Sequence, residues 1–107
     1  MDISIIVPSF NERESLPELC SWIDRVMSSH KFSYEVIIVD DGSTDGTWDE
    51  VKKISKSNPN IHGICFRRNY GKSAALYCGF EKAQGEVVFT MDAALQDSPD
   101  DLPEMYR

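Results

Sequence analysis

Asp92, Gln96 and Asp97 fall close together late in the chain. Oxygen-rich groups of this kind suit a hard cation such as Mg2+ or Mn2+. A cation held there could neutralise a diphosphate and help it leave. The same acids also read as solvated loop residues, because carboxylates are mostly exposed. A second pair, Asp40 and Asp41, precedes the run Gly42-Ser43-Thr44-Asp45-Gly46. A carboxylate there can accept hydrogen bonds from a nucleobase N–H or a ribose hydroxyl. Turn and helix-cap chemistry uses the same residue types, and both can hold, with Asp45 capping while Asp41 binds. Lys72 stands where a helix is expected to begin, against the sign of the helix dipole. A nearby phosphate would give it a reason, since helix N-termini and lysine both attract anions. A solvated lysine is the plain alternative. Arg67 and Arg68 carry the same two readings, and strand alternation aims one of them at the rim.

These residues need a scaffold, and the hydrophobic pattern supplies one. Ile3–Val7 and Tyr34–Val39 are β-branched apolar runs that read as buried strands, the first stopped by Pro8. Ile61–Phe66 and Glu86–Met91 read as a third and a fourth. Between the first two, Ser15 and Glu18 have capping-box spacing, and Leu16, Leu19, Ile23, Val26 and Met27 recur at helical period. Ser43 or Thr44 is placed to cap a second helix carrying Trp48, Val51 and Ile54, which Asn58-Pro59-Asn60 ends. A third helix is expected to turn Ala75, Leu76, Phe80 and Ala83 inward, with Gly85 as its C-cap. Ser98 and Pro99 open a final helix. Strictly alternating strands and helices predict an α/β fold with a mostly parallel sheet covered on both faces. Ligands of such sheets bind at the carboxyl ends of the strands. Asn11-Glu12, Asp40-Asp41, Arg67-Arg68 and Asp92 all follow strand ends, so one rim gathers the reactive residues.

Composition narrows the classes. The chain has 107 residues, 41% of them hydrophobic, which is one small domain with a real core. A formal charge of −7 argues against a phosphate-backbone footprint, and so against nucleic acid as the partner. It leaves room for one nucleotide in a pocket. Cys20, Cys65 and Cys78 are odd in number and form no CxxC pair, which predicts buried reduced thiols, not disulfides or zinc, and a cytoplasmic setting. His30 and His62 lack metal-ligand spacing and read as surface residues. Trp22 and Trp48 read as core or part-core residues. No signal peptide and no apolar run of membrane-spanning length is expected. Dinucleotide, P-loop and nucleophile-elbow fingerprints are absent.

Four segments, SIIVPSFNE, VIIVDDGSTDGT, RNYGKSAALYCGF and VVFTMDAALQDSPDDLPEM, follow the order and spacing of family 2 glycosyltransferases of the GT-A fold. The likeness runs over essentially the whole chain. The wording is similar to the polyprenyl-phosphate sugar transferases, the branch that includes dolichyl-phosphate mannose synthase and bacterial relatives. The resemblance implies a Rossmann-like nucleotide-binding half spanning residues 1–107, with the acceptor-binding half absent. It implies inverting transfer from a UDP- or GDP-linked sugar to a lipid phosphate or other glycan acceptor, assisted by Mg2+ or Mn2+. It also allows a longer parent at the cytoplasmic face of a membrane, serving cell-envelope glycans. Carried over by position, Pro8, Phe10, Glu12, Val39, Asp41, Lys72, Asp92 and Ala93 become donor-binding residues, and Asp92 and Gln96 metal-site residues. The catalytic base is expected outside this chain.

The sequence departs from the family pattern in two side chains. Phe10 stands where most members have Tyr, with the loss of one hydroxyl. Ala94 stands where the DxD motif has its second acid. Alanine offers the cation no oxygen, so metal binding and stabilisation of the leaving diphosphate should both weaken. Compensation by Gln96, Asp97 or water is the plain alternative. The expectation is a chain impaired in catalysis. Two other classes stay open beside it: a non-catalytic nucleotide- or partner-binding domain of the same fold, and a phospho-acceptor domain using Asp40 or Asp41.

Overall fold

A computed structural model of the chain describes residues 1–93 and 99–106. Four parallel strands, β1 (Ile3–Ser9), β2 (Tyr34–Asp40), β3 (Ile61–Cys65) and β4 (Val87–Thr90), stand in the order β3-β2-β1-β4. Helices α1 (Leu16–Ser29), α2 (Thr47–Ser57) and α3 (Lys72–Lys82) connect them. A 3-10 turn at Pro99–Asp101 leads into α4 (Leu102–Tyr106). The chain builds outward from β1 through β2 to β3, then returns to β1's other side for β4. The order therefore reverses beside β1, the place where open α/β sheets take ligands.

The strand alternation assigns the two faces. Ile3, Ile5 and Val7 of β1 and Val36 and Ile38 of β2 join Leu16, Leu19, Ile23 and Met27 of α1 and Val51 of α2 in one core. Ile37 and Val39 turn the other way and pack with Ala75 of α3. Trp22 and Trp48 pack partly buried against the larger core, and the Trp22 indole N–H donates to Asp100 at 3.0 Å. His30 and His62 are exposed. All three cysteines are free. Cys20 is buried, which pushes its thiol up to about 12, but Cys78 is only part-buried and Cys65 is exposed on an edge strand, against the expectation of three buried thiols. Among the described residues no helix is long and apolar enough to cross a membrane.

Pro8 does not end β1, which pairs on through Pro8↔Val39 and Ser9↔Asp40. The reason is directional. Met91 N–H donates to the Ile6 carbonyl, whereas Asp41 N–H donates to the Ser9 carbonyl. Even-numbered residues of β1 thus bond toward β4 and odd-numbered ones toward β2. The donor Pro8 lacks belongs to the β4 side, where pairing already stops at Ile6↔Thr90. Pro8 closes one ladder and leaves the other intact, which frees the chain after β4 to turn into the rim.

Four local expectations are corrected. Ser15 and Glu18 form no capping box. The Ser15 hydroxyl lies 3.4 Å from a Glu12 carboxylate oxygen, and the Glu12 carbonyl receives the N–H groups of Ser15 and Leu16. At α2 Ser43 and Thr44 give way to the other reading, Asp45, whose carboxylate accepts the Thr47 hydroxyl and, at 3.0 Å, the Thr47 N–H; these hydrogen bonds, the hydroxyl's foremost, lower its pKa. On α3 Ala75 turns inward as expected, with Gly79 beside it and Ala83 packed partly buried against the same cluster, while Phe80 is 50% exposed. A Cβ on Gly79 would come within 2.5 Å of Ile6, so the small residues mark where the helix lies down on β1. Gly85 is not the cap, since α3 ends at Lys82 with Ala83 extended. It instead lets the chain pass the backbone of Ile3 and Ser4, where a Cβ would meet Ser4 N at 2.6 Å.

A buried carboxylate fastens this end of the sheet. Glu35 is 4% exposed and accepts from the Ser4 hydroxyl at 2.6 Å and the Gln84 N–H at 2.7 Å, while Ser4 Oγ accepts from Gly85 N–H at 2.7 Å. Glu35→Ala strips buried donors of their acceptor. At roughly 1–3 kcal/mol for each group left unsatisfied, the unfolding midpoint in urea should fall by an amount equivalent to about 2–4 kcal/mol. Glu35→Gln, which keeps an acceptor oxygen and the shape, should lose clearly less. Equal losses would mean that the charge, not the hydrogen bonding, matters at Glu35.

Candidate donor-binding cleft

At the carboxyl ends of the strands lies a cleft of about 320 Å³, lined by Pro8 and Ser9 at the end of β1, Phe10 and Glu12 after it, Asp41 after β2, Asn69 and Gly71 before α3, Lys72 at its start, and Asp92 after β4. The size falls at the small end of ligand pockets. Each contributing loop leaves the sheet at the same rim because the strands are parallel.

The loops hold one another. Asn11, in left-handed conformation at φ 54°, donates its N–H to Ser43 Oγ at 2.8 Å and accepts the Thr44 N–H on its side-chain oxygen at 2.8 Å. Asparagine tolerates that backbone region better than most residues. Asp40, 1% exposed, accepts the Ser43 N–H at 3.0 Å and fixes the turn from behind; its other oxygen is buried with no partner among the described residues. Gly42, at φ 77°, lies against the backbone of Arg68 and Asn69. Asp41, 5% exposed, accepts the N–H groups of Tyr70 at 2.7 Å and Gly71 at 3.1 Å, one on each carboxylate oxygen. Burial leaves neither aspartate as an open phospho-acceptor. Arg67 and Arg68 are both exposed, and the Arg68 guanidinium sits 5.0 Å from the centre of the Tyr70 ring; neither lines the cleft.

Of the donor residues expected from sequence, Pro8, Phe10, Glu12, Asp41, Lys72 and Asp92 come together here. Val39 and Ala93 do not line the cleft. Both side chains are fully buried, Val39 with Ile37 and Ala75, Ala93 in the larger core. Ala94 and Gln96 lie outside the described residues. Ser9, Asn69 and Gly71 also line the cleft and were not singled out from the sequence as individual site residues, having little chemical signal of their own. Three lining carboxylates, Glu12, Asp41 and Asp92, face one lysine. An incoming diphosphate meets more negative than positive charge unless a cation accompanies it. Among the described residues no group of three or more His, Cys, Asp or Glu forms a metal cage.

The glycosyl transferase family 2 model matches residues 4–107. The undecaprenyl-phosphate 4-deoxy-4-formamido-L-arabinose transferase of Pseudomonas syringae pv. syringae (strain B728a) is 37% identical over 106 residues, covering 98% of this chain and 32% of that protein. The chain thus spans about a third of the length of the curated relatives it matches. Mannosyltransferase PcManGT from Pyrobaculum calidifontis, solved in complex with GDP-Man and Mn2+, superposes with a TM-score of 0.78 at 29% identity, over 94% of this chain and 30% of that one. TarS 1–349 of S. aureus in complex with UDP gives 0.75 at 25% identity, over 98% and 31%. The parallel α/β sheet is that of the GT-A glycosyltransferases. Sequence and fold agree, and the chain belongs to glycosyl transferase family 2.

Proposed function

We propose that residues 1–107 form the donor-binding part of an inverting glycosyltransferase that moves a sugar from a nucleoside-diphosphate donor to a polyprenyl phosphate. The observation that carries this reading is the meeting of Pro8, Phe10, Glu12, Asp41, Lys72 and Asp92 in one cleft at the switch point of the sheet. In this reading Phe10 offers an apolar face to the nucleoside, Asp41 an acceptor, and Lys72 a charge to the diphosphate. The acceptor class follows relatives named as undecaprenyl-phosphate transferases. The donor class follows neighbours solved with GDP-Man, UDP and UDP-GlcNAc.

In this reading Asp92, the cleft carboxylate that matches the first acid of the family's metal motif, would hold a divalent cation. One carboxylate with substrate phosphates and water is an ordinary Mg2+ arrangement. Such a cation would neutralise the leaving diphosphate. Gln96 joins Asp92 in the proposed set, and Ala94 contributes no oxygen. That gap favours a second reading, in which the nucleotide is held without turnover and without need of metal.

Calorimetric titration of UDP and GDP into the chain, with and without Mn2+, tests this. The expected outcome is Mn2+-dependent binding of one of the two, which also names the base. Binding indifferent to metal supports the second reading. Heat-silent titrations of both nucleotides into a chain that circular dichroism shows to be folded would sink the donor site.

A further inference from the structure

Resting on the donor-site reading, we infer that Asp41 is a positioning residue for the diphosphate end of the site, holding the α3 N-terminus and Lys72 at the cleft, besides anything it offers the nucleoside. Both oxygens of this buried carboxylate are already engaged, by the successive amides of Tyr70 and Gly71 at 2.7 and 3.1 Å. Two successive backbone N–H groups make a small anion-binding concavity, and here the protein's own carboxylate fills it. Gly71 is the residue just before α3, at φ 100° and ψ 161°, a region open essentially to glycine alone. Lys72 follows as the first residue of the helix. The N-cap residue is Gly71, which has no side chain to cap this terminus. The positive end of the α3 dipole and the Lys72 ammonium therefore present positive charge to the cleft that Gly71 and Lys72 line. The Asp41 anchor is what fixes where they point. Gly42 supports it from the next position, with its Cα against the Arg68–Asn69 backbone.

Inorganic pyrophosphate separates this role from contact with a base, because it has none. Removing a negative charge from the cleft should by itself make pyrophosphate bind more tightly. Loss of the anchor predicts the opposite sign. Pyrophosphate with Mg2+ should bind Asp41→Asn about tenfold more weakly than the native chain. Lys72→Met should lose a similar factor, and the double variant little more than either, because both changes act on one element. Unchanged or tighter binding to Asp41→Asn overturns the proposal, and so do losses that multiply in the double variant. If the native chain binds neither nucleotide nor pyrophosphate, the donor reading has failed, and amide hydrogen exchange decides the anchor separately. The Tyr70 and Gly71 amides should be protected in the native chain; exchange there at the rate of open loop amides overturns the anchor without need of any variant.

Discussion

Gly42→Ala should be among the most damaging single-methyl additions the chain can suffer. A Cβ at this position would stand 2.3 Å from the Arg68 carbonyl carbon and 2.5 Å from Asn69 N, and both are backbone atoms with no rotamer to escape into. The residue also sits at φ 77°. Left-handed backbone costs a non-glycine residue roughly 1–2 kcal/mol, and overpacking adds about 1–3 kcal/mol. A loss of about 2–5 kcal/mol is a large part of the stability of a domain this size, and it should lower the melting temperature by roughly 10–30 °C. Gly46→Ala is the control. Gly46 has φ 90°, yet the nearest atom to its Cβ is the flexible end of Arg13 at 3.5 Å, so only the backbone cost of about 1–2 kcal/mol applies. Thermal denaturation of both variants gives the clash as their difference. Equal losses would mean that the loop after β2 does not press on the loop before α3. If the clash is real, nucleotide affinity should fall with it, because the displaced backbone carries Asn69, Gly71 and Lys72 of the cleft.

That contact also shows where sequence reading stops. The strands were legible because β-branched runs such as Tyr34–Val39 have no other comfortable conformation, and α1 because its apolar residues keep one period over its length. Phe80 misled because apolar character was taken for direction. The face of α3 is set by Ala75 and Gly79, whose small size lets the helix approach Ile6, and small residues carry little hydrophobic signal. Ser15 misled because the hydroxyl of a capping residue has competitors, here the nearby Glu12. The strand-end rule placed Glu12, Asp41 and Asp92 on one rim, the helix-dipole argument singled out Lys72, and the family likeness added Pro8 and Phe10. The likeness also named Val39 and Ala93, whose side chains belong to the core. What neither could supply is the set of ties between loops: Asn11 to Ser43 and Thr44, Asp41 to Tyr70 and Gly71. Partners about thirty residues apart leave no mark on local pattern, yet they decide the shape of the cleft.

Ala94→Asp should change the chain's response to metal more than any other single substitution at the proposed site. The native residue offers no ligand atom next to Asp92, and the described cleft already sets three carboxylates against one lysine. A second acid therefore has opposite effects in two media. Without divalent metal it adds one more like charge to the approach of a diphosphate, so UDP or GDP should bind slightly more weakly than to the native chain. With Mn2+ it completes a pair of hard oxygen ligands and should tighten binding by about 10–100-fold, the scale on which elements of metal sites act. Each tenfold gain is about 1.4 kcal/mol. The measurement is a pair of nucleotide titrations for each protein, one in Mn2+ and one in EDTA, and the expected signature is a crossing of the two rankings. A shift of the same sign and size in both media would place position 94 away from any cation. A gain confined to Mn2+ would tie the missing acid to weakened diphosphate handling and mark Asp92 as the first ligand of the site.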